Sequence, residues 1–332
     1  MPQLARFVVL NPGGRDPEQD FAAGAGHPSD PGHPPINFHA YAACMNGLFL
    51  RRASHVPNGS RVVLLLRPRH LATALKSAEE LRRKSCRIWI AWKEAGTGQV
   101  ASALEPSRRW EQFVAITKAA DGAVCATPDL VPLHEAAGAS VAQFVPTPYP
   151  LGEPGWDFTQ PLAQRQGVLI GTREFDVPSR CHALALATLA SLAHPVTVLN
   201  TSGAGGRLFA KGICPHAHIV EGPLAYPAYL KLMASHRIVF QLDRSAVPGQ
   251  VAGDALLCGM PCVGGDGAIE RVAFADLTSH GRTPRQCLEF ATRLLDNDDA
   301  WQQTMNHALS MASSTLAFPA VRQALESLTQ DA

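Results

Sequence analysis

Short, uninterrupted apolar runs alternate with longer amphipathic stretches along nearly the whole chain. In the first half the runs are Phe7–Leu10, 62–66, 87–92, 123–125 and 141–145. Between them, 38–52, 72–84, 108–119 and 129–137 carry the spacing of helices. Runs without a polar alternate are strands covered on both faces, so the pattern predicts a parallel sheet flanked by helices. Asn11-Pro12-Gly13-Gly14 stops the first strand. The segment 15–35 is rich in Pro, Gly, Asp and His and has no period, which predicts a long mobile loop of a kind that often carries function.

The alternation breaks at 147–164, where prolines and glycines crowd together, and this stretch reads as an interdomain linker. It restarts with a strand at 167–170, a helix at 179–193 and strands at 195–199 and 219–220. A helix at 226–235, a strand at 238–242, a helix at 250–258 and a strand at 261–264 follow. Helices at 284–296, 298–314 and 318–328 close the chain. A length of 332 residues exceeds what one core usually holds, so two strand–helix domains are expected. They span 1–150 and 165–315, with the 316–332 helix packing back on the first.

Composition narrows the class. Hydrophobic residues make up 46% and charged residues 17%, which fits a globular chain with ample core. A net charge of +1 gives no global pull toward nucleic acid or anionic membrane. The eight cysteines form no Cys-x-x-Cys pair, so a zinc ribbon or thioredoxin motif is not expected, and free thiols suit a reducing cytosol. Cys258 and Cys262 read as small core residues. With no apolar stretch near ~18 residues, a cytoplasmic protein without a membrane span is expected.

Candidate chemistry gathers at predicted strand ends, where open α/β folds bind ligands. Gly171-Thr172-Arg173 follows the 167–170 strand, and Arg180 opens the next helix. A glycine there admits a ligand to the backbone, and arginines suit a diphosphate, the bland alternative being two surface arginines. Asp243, Arg244 and Ser245 follow the 238–242 strand, and Gly249, Gln250 and Val251 begin a helix whose amides suit phosphate. Asp254, one turn in, could accept ribose hydroxyls or merely complement the helix dipole.

Asp266 and Glu270 lie where a donor sugar would sit, or on a solvated loop. In the first half, Gly13 and Gly14 permit close approach, and His39, facing an interdomain cleft, could act as a base on an acceptor hydroxyl. Glu94 ends a strand and could face the same cleft, while Trp89 and Trp92 read as packing. The dinucleotide fingerprint G-x-G-x-x-G is absent from the first strand's turn.

Four segments carry a family resemblance: "GVLIGTRE…SR", "YPAYLKLMASHRIVFQLDRS", "GQVAGDALLCGMPCVGG" and the helices over 284–328. They resemble the nucleotide-sugar-binding half of GT-B glycosyltransferases, especially the retaining "glycosyl transferases group 1" family. The resemblance implies two Rossmann-like domains with parallel sheets facing across a cleft. It implies a metal-independent transfer of a hexose or pentose from a nucleoside-diphosphate sugar, with no cofactor. Arg173 and Arg180 would hold the diphosphate, Asp254 would replace the family's ribose-binding Glu, and Gly13-Gly14 would approach donor phosphate or acceptor. The family's first Glu falls at Ala246, which leaves the sugar's acidic contact to Asp243.

The acceptor could be a glycan, a small molecule, a protein or DNA. The DNA reading rests on Arg51, Arg52, Arg67, Arg69, Arg82, Arg83, Lys84, Arg108 and Arg109, which more often form solvated faces. The alternatives are a catalytically silent sugar-nucleotide-binding protein, a GT-B-fold epimerase, or an oxidoreductase, the last weakened by the missing fingerprint.

Overall fold

The computed structural model describes residues 6–93, 96–171, 175 and 177–330. The chain divides into two compact units, Met1–Pro150 with Leu316–Ala332, and Leu151–Thr315.

The first unit contains β1 (Phe7–Leu10), β2 (Gln19–Asp20), α1 (Asn37–Cys44), β3 (Leu48–Leu50), β4 (Arg61–Leu66), α2 (Leu71–Arg83), β5 (Arg87–Trp92), α3 (Thr97–Leu104), α4 (Ser107–Ala119), β6 (Gly122–Cys125), α5 (Val131–Ala136) and β7 (Ala142–Phe144). Among the described residues its sheet has seven strands in the order β2-β3-β1-β4-β5-β6-β7. All pairings are parallel except that of β2 with β3. The central strands β1, β4 and β5 are buried from end to end but for the leading arginines, as continuous apolar runs require.

The second unit contains β8 (Val168–Ile170), α6 (His182–Leu189), β9 (Val196–Asn200), α7 (Gly203–Ile213), β10 (His218–Glu221), α8 (Tyr226–Ala234), β11 (Ile238–Gln241), α9 (Gln250–Leu257), β12 (Cys262–Gly264), α10 (Ala268–Ala273), α11 (Pro284–Asp296) and α12 (Asp298–Thr315). Among the described residues its sheet has five parallel strands in the order β10-β9-β8-β11-β12. The chain then returns to the first unit as α13 (Phe318–Gln330), where Arg322 Nε donates to Cys44 O at 2.5 Å and Tyr149 N to Leu316 O at 2.8 Å.

Several expectations change. The helix expected over 38–52 ends at Cys44, and Leu48–Leu50 becomes a parallel strand beside β1. Asn46 turns left-handed (φ 49°), and a Cβ on Gly47 would run into the Phe7 carbonyl, so the chain can pair there only through glycine. The segment expected as a mobile loop, 15–35, holds β2 and is tied down by bonds such as Phe21 N to Gly47 O (2.9 Å) and His33 N to Gln19 Oε1 (2.8 Å).

The segment expected as a linker packs on the second unit from Leu151 onward. Trp156 is buried, Phe158 N donates to Leu257 O at 3.0 Å, and Arg165 Nη2 donates to Cys258 O at 2.8 Å. The helix expected from 179 begins at His182 after a 3-10 turn at Pro178–Arg180, because Cys181 is left-handed (φ 50°). Three helices were not foreseen: α3, glycine-rich α7 and short α10. All eight cysteines are free, and Cys258 and Cys262 are buried, as are Trp89 and Trp92.

Candidate functional site

In the second unit β8, β11 and β12 are neighbours, so their carboxyl ends and the starts of α9 and α10 come together. The turn after β11 carries Asp243 and Ser245, both buried. Asp243 Oδ1 accepts from Ser245 N (2.8 Å) and from Ser245 Oγ (2.5 Å). Arg180 Nη1 donates to Asp243 Oδ2 and, at 3.1 Å, to Ser245 Oγ. Arg244 N donates to Ser179 O (2.8 Å), which docks the 3-10 turn bearing Arg180 onto this loop. The structure thus brings Arg180, Asp243 and Ser245 into one part-buried, charge-assisted network. Arg180 keeps part of its surface open, its side chain being 23% exposed. Thr172 and Arg173 lie outside the described residues.

Glycine lines this end of the sheet. Gly171 N donates to Phe240 O at 2.9 Å, and a Cβ on Gly171 would stand 2.6 Å from Val251 Cγ1. Gly249 caps α9 in a left-handed conformation (φ 95°), followed by half-buried Gln250 and Val251. Ala246, where the family resemblance leads one to expect an acid, also has positive φ (49°).

Asp254, the candidate acid for ribose hydroxyls, is 1% exposed, and Tyr226 OH, from the first residue of α8, donates to its Oδ1 at 2.5 Å. The acid is screened because a half-buried tyrosine covers it. Nothing in the local sequence of Asp254 signals this, since the partner comes from another helix.

Glu270 is no residue of a solvated loop. It is 2% exposed, its Oε1 accepts from Gln241 Nε2 at 2.7 Å, and its Oε2 is buried with no hydrogen-bond partner. Burial pushes its carboxyl up to about 8, and the nearby carboxylates of Asp243 and Asp266 push the same way against its own backbone N–H and Gln241. Asp266 accepts from Arg271 Nε (2.8 Å) and contacts His280 Nδ1 (3.1 Å).

In the first unit Asn11 follows β1 and is fully buried, with Nδ2 donating to Asp16 Oδ2 at 2.6 Å. Lys93 Nζ, beyond β5, lies 3.2 Å from the same oxygen. Burial raises Asp16, but Lys93, with His39 and His33, outweighs it and holds the carboxyl below its usual range. Gly13 (φ 72°) and Gly14 make room for the chain's own side chains. A Cβ on Gly13 would stand 2.7 Å from His70 Nδ1, and one on Gly14 would overlap Asn11. Arg67 Nη1 donates to Gly13 O at 3.2 Å.

His39, expected to face a ligand, is 3% exposed. Its ring lies between those of His33 (3.8 Å) and Phe49 (3.6 Å), and its Nε2 is 3.0 Å from Pro17 O. Burial first, then His33, lowers it to about 4 despite the Pro17 carbonyl and Asp16, so at neutral pH the ring is uncharged. Its geometry pins the 15–35 segment to the sheet. Glu94 lies outside the described residues. Among the described residues no group of His, Cys, Asp and Glu gathers as a metal site, and no helix is long and apolar enough to cross a membrane.

No protein-family model and no curated protein matches the chain. Solved structures do. Anabaena HepE, determined in complex with UDP-glucose, is similar over 98% of this chain and 99% of its own, at 12% identity and a TM-score of 0.63. The α,α-trehalose 6-phosphate synthase of Burkholderia multivorans is similar over 84% of this chain and 73% of its own, at 11% identity and a TM-score of 0.60. A UDP-forming α,α-trehalose-phosphate synthase from Burkholderia xenovorans, determined with glucose-6-phosphate, is similar over 83% and 74%, at 12% identity and 0.60. At these identities the likeness establishes the fold: two Rossmann-like units built on parallel sheets, the GT-B architecture.

Proposed function

We propose that the chain is a glycosyltransferase that moves a sugar from a nucleoside-diphosphate sugar to an acceptor hydroxyl. The observation that supports this most is where a GT-B chain concentrates its buried polar groups. Arg180, Asp243 and Ser245 form one network beside the glycine-started α9, at the carboxyl ends of β8 and β11. The end-to-end likeness to HepE, seen with UDP-glucose, favours a uridine donor.

In this reading the α9 amides beyond Gly249, with Gln250 and Val251, meet the diphosphate, joined by Arg180 and by Gly171, Thr172 and Arg173. Charge that develops on the departing diphosphate is stabilised by these preorganised donors, without a metal. Asp243 holds the Arg180 guanidinium in place, and Ser245 links the two. The transferred unit is a hexose or pentose. The acceptor, a glycan, small molecule, protein or DNA, would bind at the strand ends of the first unit near Gly13, Gly14 and Lys93. Glu94 is the candidate base there, since the His39 ring is sealed by packing.

The test is a thermal-shift panel of UDP, dTDP, GDP and ADP with the full chain. A ligand at a hundred times its Kd adds about 2.7 kcal/mol to folded stability. UDP is expected to raise Tm, and less so in Arg180→Ala. No shift with any of the four overturns the proposal.

A second reading, a catalytically silent sugar-nucleotide binder, draws support from the screened Asp254 and from Ala246. Hydrolysis or transfer of a bound UDP-sugar that is lost in Arg180→Ala would exclude it.

A further inference from the structure

The buried carboxyl of Glu270 occupies the junction of three backbone segments that converge on the donor end of the second sheet. A Cβ on Gly249 or Gly267 would overlap Glu270 Oε2, and one on Gly265 would stand 3.0 Å from Oε1. Gly249 starts α9, Gly267 precedes α10, and Gly265 follows β12. Gly249 and Gly267 therefore make room for the acid itself, and Gly265 for the acid and for Gln241, whose Nε2 would stand 2.8 Å from that Cβ. The backbone reinforces the junction, since Ala268 N donates to Val247 O and Ile269 N to Pro248 O, both at 3.0 Å. Among the described residues Gln241, the last residue of β11, supplies the one side-chain hydrogen bond to the carboxyl.

Among the described residues no cation balances this group. The charges acting on it are the carboxylates of Asp243 and Asp266, engaged by Arg180 and Arg271 respectively, and Cys262 lies close enough to feel it. Asp254 on α9 is bound by Tyr226. From α12 the buried residues are Trp301, Met305, Ala308 and Ala312, while Asp298, Asp299 and His307 are exposed; Asp276 beyond α10 is exposed too. A carboxylate sealed here with only Gln241 and its own backbone N–H to favour the charged form, and with Oε2 unpartnered, is costly, and the undissociated acid is the form the cage suits. Its elevation to about 8 by burial agrees.

We propose that Glu270 is a positioning residue of the donor site: undissociated, it fixes the α9 start without placing a negative charge beside the bound diphosphate, and once ionised it weakens the site. This rests on the reading that the α9 start takes a nucleoside diphosphate. An anion is favoured by the amides and dipole at a helix start, and a second anion directly beneath that start opposes it.

The experiment is calorimetric titration of the full chain and of Glu270→Gln with UDP between pH 6.5 and 8.8, with uridine as the control lacking phosphate. Wild-type affinity for UDP is expected to fall above about pH 8, approaching roughly tenfold per pH unit. At pH 8.8, runs in buffers of different ionisation enthalpy are expected to show uptake of a proton on UDP binding. Uridine binding is expected to lack both effects, and Glu270→Gln to bind UDP with neither the alkaline decline nor the uptake. Wild-type UDP affinity that is flat to pH 8.8 with no uptake overturns the proposal, even if Glu270→Gln does not fold. So does a decline in Glu270→Gln equal to that of wild type. If wild type does not bind UDP at pH 7, the titration is run with whichever of dTDP, GDP or ADP it binds; failure to bind any of the four overturns the donor reading itself, a result distinct from binding that ignores pH.

Discussion

His134 offers a clean measurement of what a sealed imidazole does to this fold. It lies on α5, fully buried, edge-on to Phe113 with ring centroids 5.3 Å apart, and neither ring nitrogen has a hydrogen-bond partner. Burial lowers it from 6.5 to about 4. The unfolded chain therefore takes up the proton first as pH falls. The stability tied to the neutral ring is complete above pH 6.5, drains as pH drops toward 4, and changes no further below that. The full loss is about 3.4 kcal/mol from 2.5 pH units, and the part between pH 7 and 5 is about 2 kcal/mol.

His134→Leu keeps a side chain of similar bulk and removes both unsatisfied nitrogens. Urea unfolding at pH 7 and pH 5 measures the difference between the two proteins. His39, also lowered to about 4, is present in both and cancels. At pH 7 the variant is expected to be at least as stable as wild type, since it discards two unpaired polar atoms. At pH 5 its advantage is expected to grow by about 2 kcal/mol. A gap that is the same at both pH values would refute the reasoning.

Other outcomes follow from the site. Tyr226→Phe removes a hydrogen bond to buried Asp254 and is expected to cost about 1–3 kcal/mol in urea unfolding. Gly264→Ala drives a Cβ into Gln241 O at a residue with φ 81°, so the second unit is expected to lose its cooperative unfolding transition or several kcal/mol. Arg180→Ala leaves buried Asp243 with its Ser245 hydrogen bonds but no cation among the described residues and is expected to cost about 3 kcal/mol, while Arg180→Ala with Asp243→Asn recovers part of it, as a double-mutant cycle in urea would read.

The strand ladder was legible because continuous apolar runs have few other interpretations. The run expected at 62–66 is β4, Arg61–Leu66, and 87–92 is β5 to the residue. Leu48–Leu50 was hidden because one short apolar strand follows a helix after only a few residues, and the left-handed Asn46 that separates them has no periodic signature. α7 was hidden because its glycines disfavour a helix locally, although Gly206 and Ala210 bury one face of it.

At the site, Arg180, Asp243 and Ser245 were readable as polar residues after apolar strands. Their mutual bonds, the Tyr226 cover on Asp254 and the glycine cage of Glu270 were not. Each joins positions brought together by the packing of the second unit's strands and flanking helices.

The return of α13 sets the order in which this protein can be assembled. Leu316, Phe318, Val321 and Leu325 are buried in the unit that began with β1, so a nascent chain that has emerged through Pro150 still lacks part of its own core. The span Leu151–Thr315, by contrast, is contiguous and can close as soon as it is synthesised. The part begun first is then completed last. A chaperone that shields the α1 surface until α13 arrives would act on the first unit and have little to offer the second.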